Sequence, residues 1–210
     1  MKKIGLGIFF AALIWSAIHP KDYLTWALET APAIIGFIIL IATHRRFPLT
    51  NLTYGLILVH SIILMIGGHY TYAEVPLFDW FKEVFDLDRN NYDKLGHFAQ
   101  GFVPAIIARE IILRNHVVKP GNWLNFFVIC ICLAISAFYE LIEWRVAVLG
   151  KESADAFLGT QGYLWDTQSD MAYALIGAIV ALLTLTRTHN RQIVMLSVID
   201  SKHFNRDDPG

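Results

Sequence analysis

The chain is short of charge. Asp, Glu, Lys and Arg make up 17% of its 210 residues, where a soluble domain carries about 25%, so a fully water-facing surface is excluded. Cysteine is scarce as well, with Cys130 and Cys132 the two present. Two residues apart on a helix they point in different directions, and no histidine or other sulfur neighbours them. A disulfide and a thiolate metal site are therefore not expected, and both are read as small apolar core residues. Charge of one sign is missing too: 17 basic residues face 18 acidic ones, a formal net charge of −1. That leaves no basic footprint for nucleic acid. There is no Gly-rich phosphate loop of either common type and no internal repeat, direct or inverted.

What the chain has is apolar sequence in blocks. Hydrophobic residues make up 55% of it, gathered into runs at about 4–18, 24–43, 52–68, 92–113, 123–144 and 165–185. Most of these are close to the ~20 residues that cross a hydrocarbon core. The expected fold is all-α: one polytopic domain over 1–186, with six transmembrane helices embedded in a lipid bilayer. Lys2 and Lys3 before the first run resemble the start of a signal peptide. Cleavage after Ala17 would place bulky Trp15 where a small residue is wanted, which favours an uncleaved first helix. Between the third and fourth runs, Asp79, Lys82, Glu83 and Asp86 recur at helical spacing opposite Trp80, Phe81, Val84 and Phe85. That predicts a short amphipathic helix over 77–87 lying in the interface. Residues 187–210 are read as a polar cytoplasmic tail, irregular in part.

Orientation follows the basic residues. With the N terminus inside, Lys2, Lys3, Arg45, Arg46, Arg114, Lys119, Arg187, Arg191, Lys202 and Arg206 fall on the cytoplasmic side. Lys21, Lys82, Arg89, Lys94, Arg145 and Lys151 fall on the other, and Arg109 sits near the inner end of its helix. Both termini are expected to be cytoplasmic.

Ionisable groups inside apolar runs are costly unless they face protein or a watery cavity. The run opening at Tyr92 carries Asp93, Lys94, His97 and Gln100. Asp93 and His97 are four apart and share a face; Glu140 and Glu143 are three apart near the end of the fifth run; Asp166 and Asp170 are four apart at the start of the sixth. With alternating helix direction, Asp93, Glu143 and Asp166 form an outer tier, and His97, Glu140 and Asp170 a tier one turn deeper. Asp93 and Asp166 are adequately explained as helix-start acids. Glu140 near a helix C terminus, and His97 and Asp170 a turn inside, are not. Glu29, His69, Glu74, Gln161 and Gln168 could join them. His60 reads as a hydrogen-bonded core histidine, Arg109 and Glu110 as a local ion pair, and His189 as one of several histidines near basic segments.

Crowded carboxylates cannot all stay ionised without a cation. Three compensations are open: a divalent metal, shared protons as in a proton-coupled carrier, or neutralisation by Lys94 in a structural network. In the metal reading His97, Glu140 and Asp170 are the ligands, and Asp93 or Glu143 is the catalytic base. Lys94, Gln161, Asp166 and Gln168 then contact a lipid or envelope substrate. The donor mixture suits Zn, Mn or Fe better than Ca. A hydrolase or transferase is set slightly ahead of a small-molecule transporter, with a non-catalytic membrane scaffold as the third reading.

The run Asp93-Lys94-Leu95-Gly96-His97-Phe98, the later Glu140, and Gly159-Thr160-Gln161-Gly162 leading into Trp165-Asp166-Thr167-Gln168-Ser169-Asp170-Met171 resemble the YjdF family of bacterial inner-membrane proteins. That resemblance implies an inner-membrane location. More distantly, the chain is similar to VanZ-like membrane proteins, linked to glycopeptide resistance. These carry Asp-Lys-x-x-His-Phe, a Glu on a following helix, and Asp-x-x-x-Asn-x-x-Gly. Asp93, Lys94, His97, Phe98, Glu140, Asp170 and Gly177 match, while Ala174 stands where Asn is expected; aligning Asp166 with the Asp instead puts Asp170 at the Asn and loses the glycine.

Overall fold

The computed structural model describes residues 3–150 and 161–207, with side chains placed for 3–149 and 161–197. Gly159 and Thr160 of the motif above, Lys151, and the ends of the chain lie outside the described residues. Among those described there are seven α-helices and no strand. They are α1 (Lys3–Ala17), α2 (Tyr23–Thr43), α3 (Asn51–Tyr70), α4 (Pro76–Val84), α5 (Tyr92–Arg114), α6 (Asn122–Gly150) and α7 (Asp166–Asp207), with a 3-10 turn at Tyr72–Glu74.

Four of them are long and apolar enough to cross a membrane: α2, α3, α6 through Leu149, and α7 through Ser197. The other two expected spans differ for physical reasons. At 15 residues, α1 reaches only ~22 Å along its axis. In α5, Asp93, Lys94, Arg109, Glu110 and Arg114 break the apolar run, and most of the helix is buried in protein instead. The short helix α4 ends at Val84, earlier than expected, because Asp86 adopts a left-handed conformation (φ 49°) that the helix cannot continue through.

The packing divides into two trios. α1 and α2 both lie on α3; α5, α6 and α7 lie on one another; α3 against α5 joins the halves. At the α1–α3 end, Trp26 Nε1 donates to Ser16 Oγ (3.1 Å), the Lys21 backbone N–H donates to His69 O (2.9 Å), and Lys21 pairs with Glu74. His69 and Glu74 thus serve helix packing and do not join the polar centre. Cys132 is buried as expected, but Cys130 is exposed on the outside of α6.

The tightest crossing is α5 on α7. Gly101 lies against the backbone of Ala174, and Gly177 against the backbone of Phe98 and Phe102. A Cβ at Gly177 would overlap the Phe98 carbonyl, so the helix axes would have to separate. Gly177→Ala is expected to cost ~1–3 kcal/mol, read by denaturant unfolding in detergent. Gly7→Ala, where a Cβ meets open space, should cost nothing, and equal behaviour of the two variants would contradict the crossing.

At the far end of α5 the expected Arg109–Glu110 ion pair is not formed. The two side chains leave the helix in different directions and serve different partners. Glu110, fully buried, accepts from Thr50 N–H (2.8 Å), Thr50 Oγ1 (2.9 Å) and Thr53 Oγ1 (2.6 Å), and meets His189 Nε2 (3.1 Å) and Arg114 (3.2 Å). Arg109 reaches His189 Nδ1 (3.0 Å) and Asn190 Oδ1 (2.6 Å). His189 is therefore a bridge between α5 and α7. The segment after residue 187, expected to be irregular in part, is helical: with no Gly or Pro after Gly177 before its end, α7 continues to Asp207. Glu110→Gln removes the shared charge and should destabilise the fold by ~1–3 kcal/mol; an unchanged unfolding midpoint would show the network to be idle.

Candidate functional site

At the other end of α5, the loop before it folds back and is pinned by a residue the sequence did not single out. Asn90 is 1% exposed. Its side chain donates to Val75 O (3.1 Å) and Asp79 Oδ1 (2.8 Å), and its Oδ1 accepts from Tyr92 N–H (3.1 Å). Gln161 clasps the Asn90 backbone from both sides, accepting from its N–H (3.0 Å) and donating to its carbonyl (2.8 Å). Gln161 thus holds the loop, and with Arg89 and Lys94 it also lines an open pocket of about 440 Å³. Gln168 is exposed and does not join the centre.

The pinned loop delivers Arg89, the second unforeseen residue. Arg89 bridges Asp166 (2.6 Å) and Asp93 (3.3 Å). Lys94 Nζ lies between Asp170 Oδ1 (2.5 Å), Asp166 Oδ1 (2.8 Å) and Asp93 Oδ2 (3.2 Å). Tyr163 places its ring 5.6 Å from the Arg89 guanidinium and 5.8 Å from Lys94 Nζ. With three carboxylates around its ammonium, Lys94 is placed to orient acids, and it lines the same open pocket as Gln161.

His97 sits in the middle, 5% exposed. Its Nε2 faces Asp93 Oδ1 (3.2 Å) and Asp170 Oδ2 (3.8 Å). Its Nδ1 faces Gln100 Oε1 (3.2 Å) and Glu140 Oε1 (3.8 Å). A neutral imidazole has one N–H, yet acceptors stand at both nitrogens. One nitrogen therefore donates, and the other is met by the Gln100 amide turned to donate, by a proton from a neighbouring acid or by a cation.

The oxygens are divided. Lys94 holds Asp93 Oδ2 and Asp170 Oδ1, while Asp93 Oδ1 and Asp170 Oδ2 face His97. Asp93, His97 and Asp170 each offer one ligand atom, and the three atoms lie within 4.8 Å of one another. Around a tetrahedral ion with bonds near 2.1 Å, neighbouring ligands are ~3.4 Å apart, and the observed 3.2 and 3.8 Å bracket that spacing. The expected trio of His97, Glu140 and Asp170 does not gather at one nitrogen. Glu140 stands at Nδ1, so Asp93 takes its place beside Asp170, and Glu140 Oε1 is left buried with no hydrogen-bond partner. Ser136 Oγ, one turn away on α6, is also buried and unpartnered.

Glu143 turns elsewhere. At 100° per residue, three positions leave it ~60° around α6 from Glu140. It lines a cavity of about 200 Å³ with Glu29, Tyr72, Asp93, His97, Gln100 and Tyr139. Tyr139 donates to Glu29 Oε2 (3.3 Å). Burial, with Glu29 next to it, pushes the Tyr72 phenol well above its usual range, so Tyr72 stays a neutral O–H donor in this wall. Pro32 and Pro104 face the same cavity and cannot donate to the carbonyls one turn back. Six carboxylates (Glu29, Asp93, Glu140, Glu143, Asp166 and Asp170) thus cluster around two permanent cations and one imidazole.

Known proteins match the chain along most of its length. The family described as "Predicted membrane protein (DUF2238)" matches residues 1–191. The Escherichia coli (strain K12) protein named "Inner membrane protein YjdF" is 52% identical over 187 residues, covering 89% of this chain and 90% of that protein. No solved structure matches.

Proposed function

Because the chain belongs to the DUF2238 family of predicted membrane proteins, we propose that it is a six-span inner-membrane protein with a divalent-metal centre acting on a lipid or envelope amphiphile. The six spans include α1 and α5; α5 is tolerated in a bilayer because its charged ends face α3, α7 and the loop before it, not lipid. Both termini are cytoplasmic by the distribution of Lys and Arg, which places the His97 centre at the periplasmic face.

One observation carries the reading: His97 faces carboxylates at Nε2 and carbonyl and carboxylate oxygens at Nδ1. Metal-bound histidines characteristically donate their other N–H to such an acceptor, and Gln100 supplies it here. Asp93, His97 and Asp170 hold the ion; Zn, Mn or Fe fit this donor set better than Ca. Such an ion supplies Lewis-acid polarisation of an ester or phosphoryl oxygen. Glu143, in the cavity wall beside Asp93 and His97, is the general base that takes the proton from attacking water or an acceptor hydroxyl. Lys94 and Arg89 fix the carboxylates and compensate part of their charge.

The test is turnover. Protein reconstituted with bacterial lipid extract and Zn, Mn or Fe is expected to release or transfer headgroups, detected by mass spectrometry, and Glu143→Gln should lower the rate by about 100-fold or more. No turnover by the wild type with any of the three ions would overturn the enzyme reading. A proton-coupled carrier is less well supported, because beyond Gln100 the wall of the cleft becomes Val103, Ile107 and Ile111 and Arg109 is tied to α7.

A further inference from the structure

α2 and α5 both pack on α3 yet hardly touch one another. The space between them is a groove of about 460 Å³ with an almost wholly apolar wall. It begins where the acidic cavity ends, since Pro32, His60 and Leu64 line both. Along α5 it runs from Val103 to Asn115, an axial length of ~18 Å, which is about the depth of one leaflet of a ~30 Å hydrocarbon core. Its rim is accessible: Ile39 is 54% exposed and Ile111 44%. In a bilayer that rim meets acyl chains. At the junction, His60 was expected to be hydrogen-bonded, but its Nε2 is buried and has no partner. A donor or acceptor from outside the chain would satisfy it.

We infer that this groove is a binding site for the hydrocarbon tail of an amphiphile whose polar head occupies the His97 cavity, with His60 contacting the head–tail linkage. The inference rests on the lipid-substrate reading above and names the substrate class: an amphiphile, such as a glycerophospholipid, with one long apolar chain free to enter between α2 and α5. The shape follows from the continuity of the two spaces. An apolar slot alone would accept any chain, and an acidic cavity alone any small cation. A continuous polar-to-apolar passage fits one amphiphile.

Gly36 supplies the test. It lines the groove, and a Cβ built there meets nothing within 4 Å, so a large side chain can fill the slot without displacing a helix. The full-length protein is reconstituted in phosphatidylethanolamine–phosphatidylglycerol vesicles containing a phosphatidylethanolamine with a diazirine in one acyl chain. After photolysis, labelled positions are mapped by mass spectrometry. Peptides carrying Ile57 and Val103 are expected to be labelled more heavily than the outer face of α6 at Phe126, Phe138 and Leu141. Gly36→Phe should reduce groove labelling about tenfold, a change that loss of only a few methylene contacts suffices to produce, while α6 labelling stays constant. Where Gly36→Phe does not fold, judged by its melting profile, Gly36→Leu takes its place with a smaller reduction. Equal labelling of groove and α6, or groove labelling indifferent to Gly36 substitution, overturns the tail site. Metal content and turnover measured on the same samples separate the two readings. Groove labelling without metal or turnover leaves the tail site standing and removes the enzyme. Metal with turnover but no groove labelling does the reverse.

Discussion

Purified without chelator, the wild-type protein is expected to carry about one equivalent of a divalent transition metal, and His97→Ala or Asp170→Asn to retain about a tenth of that or less. The expectation rests on which atoms face which. Asp93 and Asp170 each have one oxygen on Lys94 and the other towards His97 Nε2, so removing either ligand leaves two donors where three or four are needed. His97→Ala also removes the contact with Gln100, whereas Asp170→Asn keeps the side chain's shape but removes its charge, weakening both the ligand oxygen and the Lys94 pair. A purely structural network behaves differently. It would hold no metal in wild type or variants, and equal, negligible metal in all three proteins would end the metal reading. Glu140→Gln provides the internal contrast. Its carboxylate sits at Nδ1, so this variant should keep most of its metal, although the sequence alone placed Glu140 among the ligands.

The position of Glu140 at Nδ1, away from Asp170, shows how far the sequence reached. The carboxylates four apart were placed well, because four residues on a helix rotate by only ~40° from eclipsed and a shared face follows. Three-residue spacing is looser. The same arithmetic sends Glu143 into the cavity with Glu29 and leaves Glu140 by α7, and nothing in the local pattern says which side of the imidazole each will meet. Arg89 and Asn90 were invisible for another reason. Their roles depend on the loop before α5 folding back onto Gln161 and α4, and loop closure over 71 positions has no periodic signature. His189 was discounted because its surroundings are basic and polar in sequence. Its burial comes from Glu110 and Arg109, which lie about 80 residues away in the chain. The apolar groove was not legible at all. It is an absence of contact between α2 and α5, and a sequence records which faces are apolar, not which of them go unpaired.

The second large effect is expected at Lys94. Lys94→Met keeps the length and apolar stem of the side chain but removes the ammonium shared by Asp93, Asp166 and Asp170. Removing one partner of a buried ion network leaves uncompensated charge, at a cost of ~3–5 kcal/mol. Asp166 keeps Arg89 at 2.6 Å, so the penalty falls mainly on Asp93 and Asp170. These are the two carboxylates that face His97 Nε2, and this gives the variant a diagnostic property. If Lys94 serves only to balance charge, an added divalent cation should replace it, and Zn, Mn or Fe should recover most of the lost melting temperature while chelator removes the gain. If Lys94 also turns the carboxylates towards His97, as the division of their oxygens indicates, the recovery should need about 10–100-fold more metal than saturates the wild type. Melting profiles of Lys94→Met across a metal titration decide between these. A profile equal to that of the wild type in chelator would mean that the ammonium carries no weight in the centre, and the charge argument for a bound cation would then fall with it.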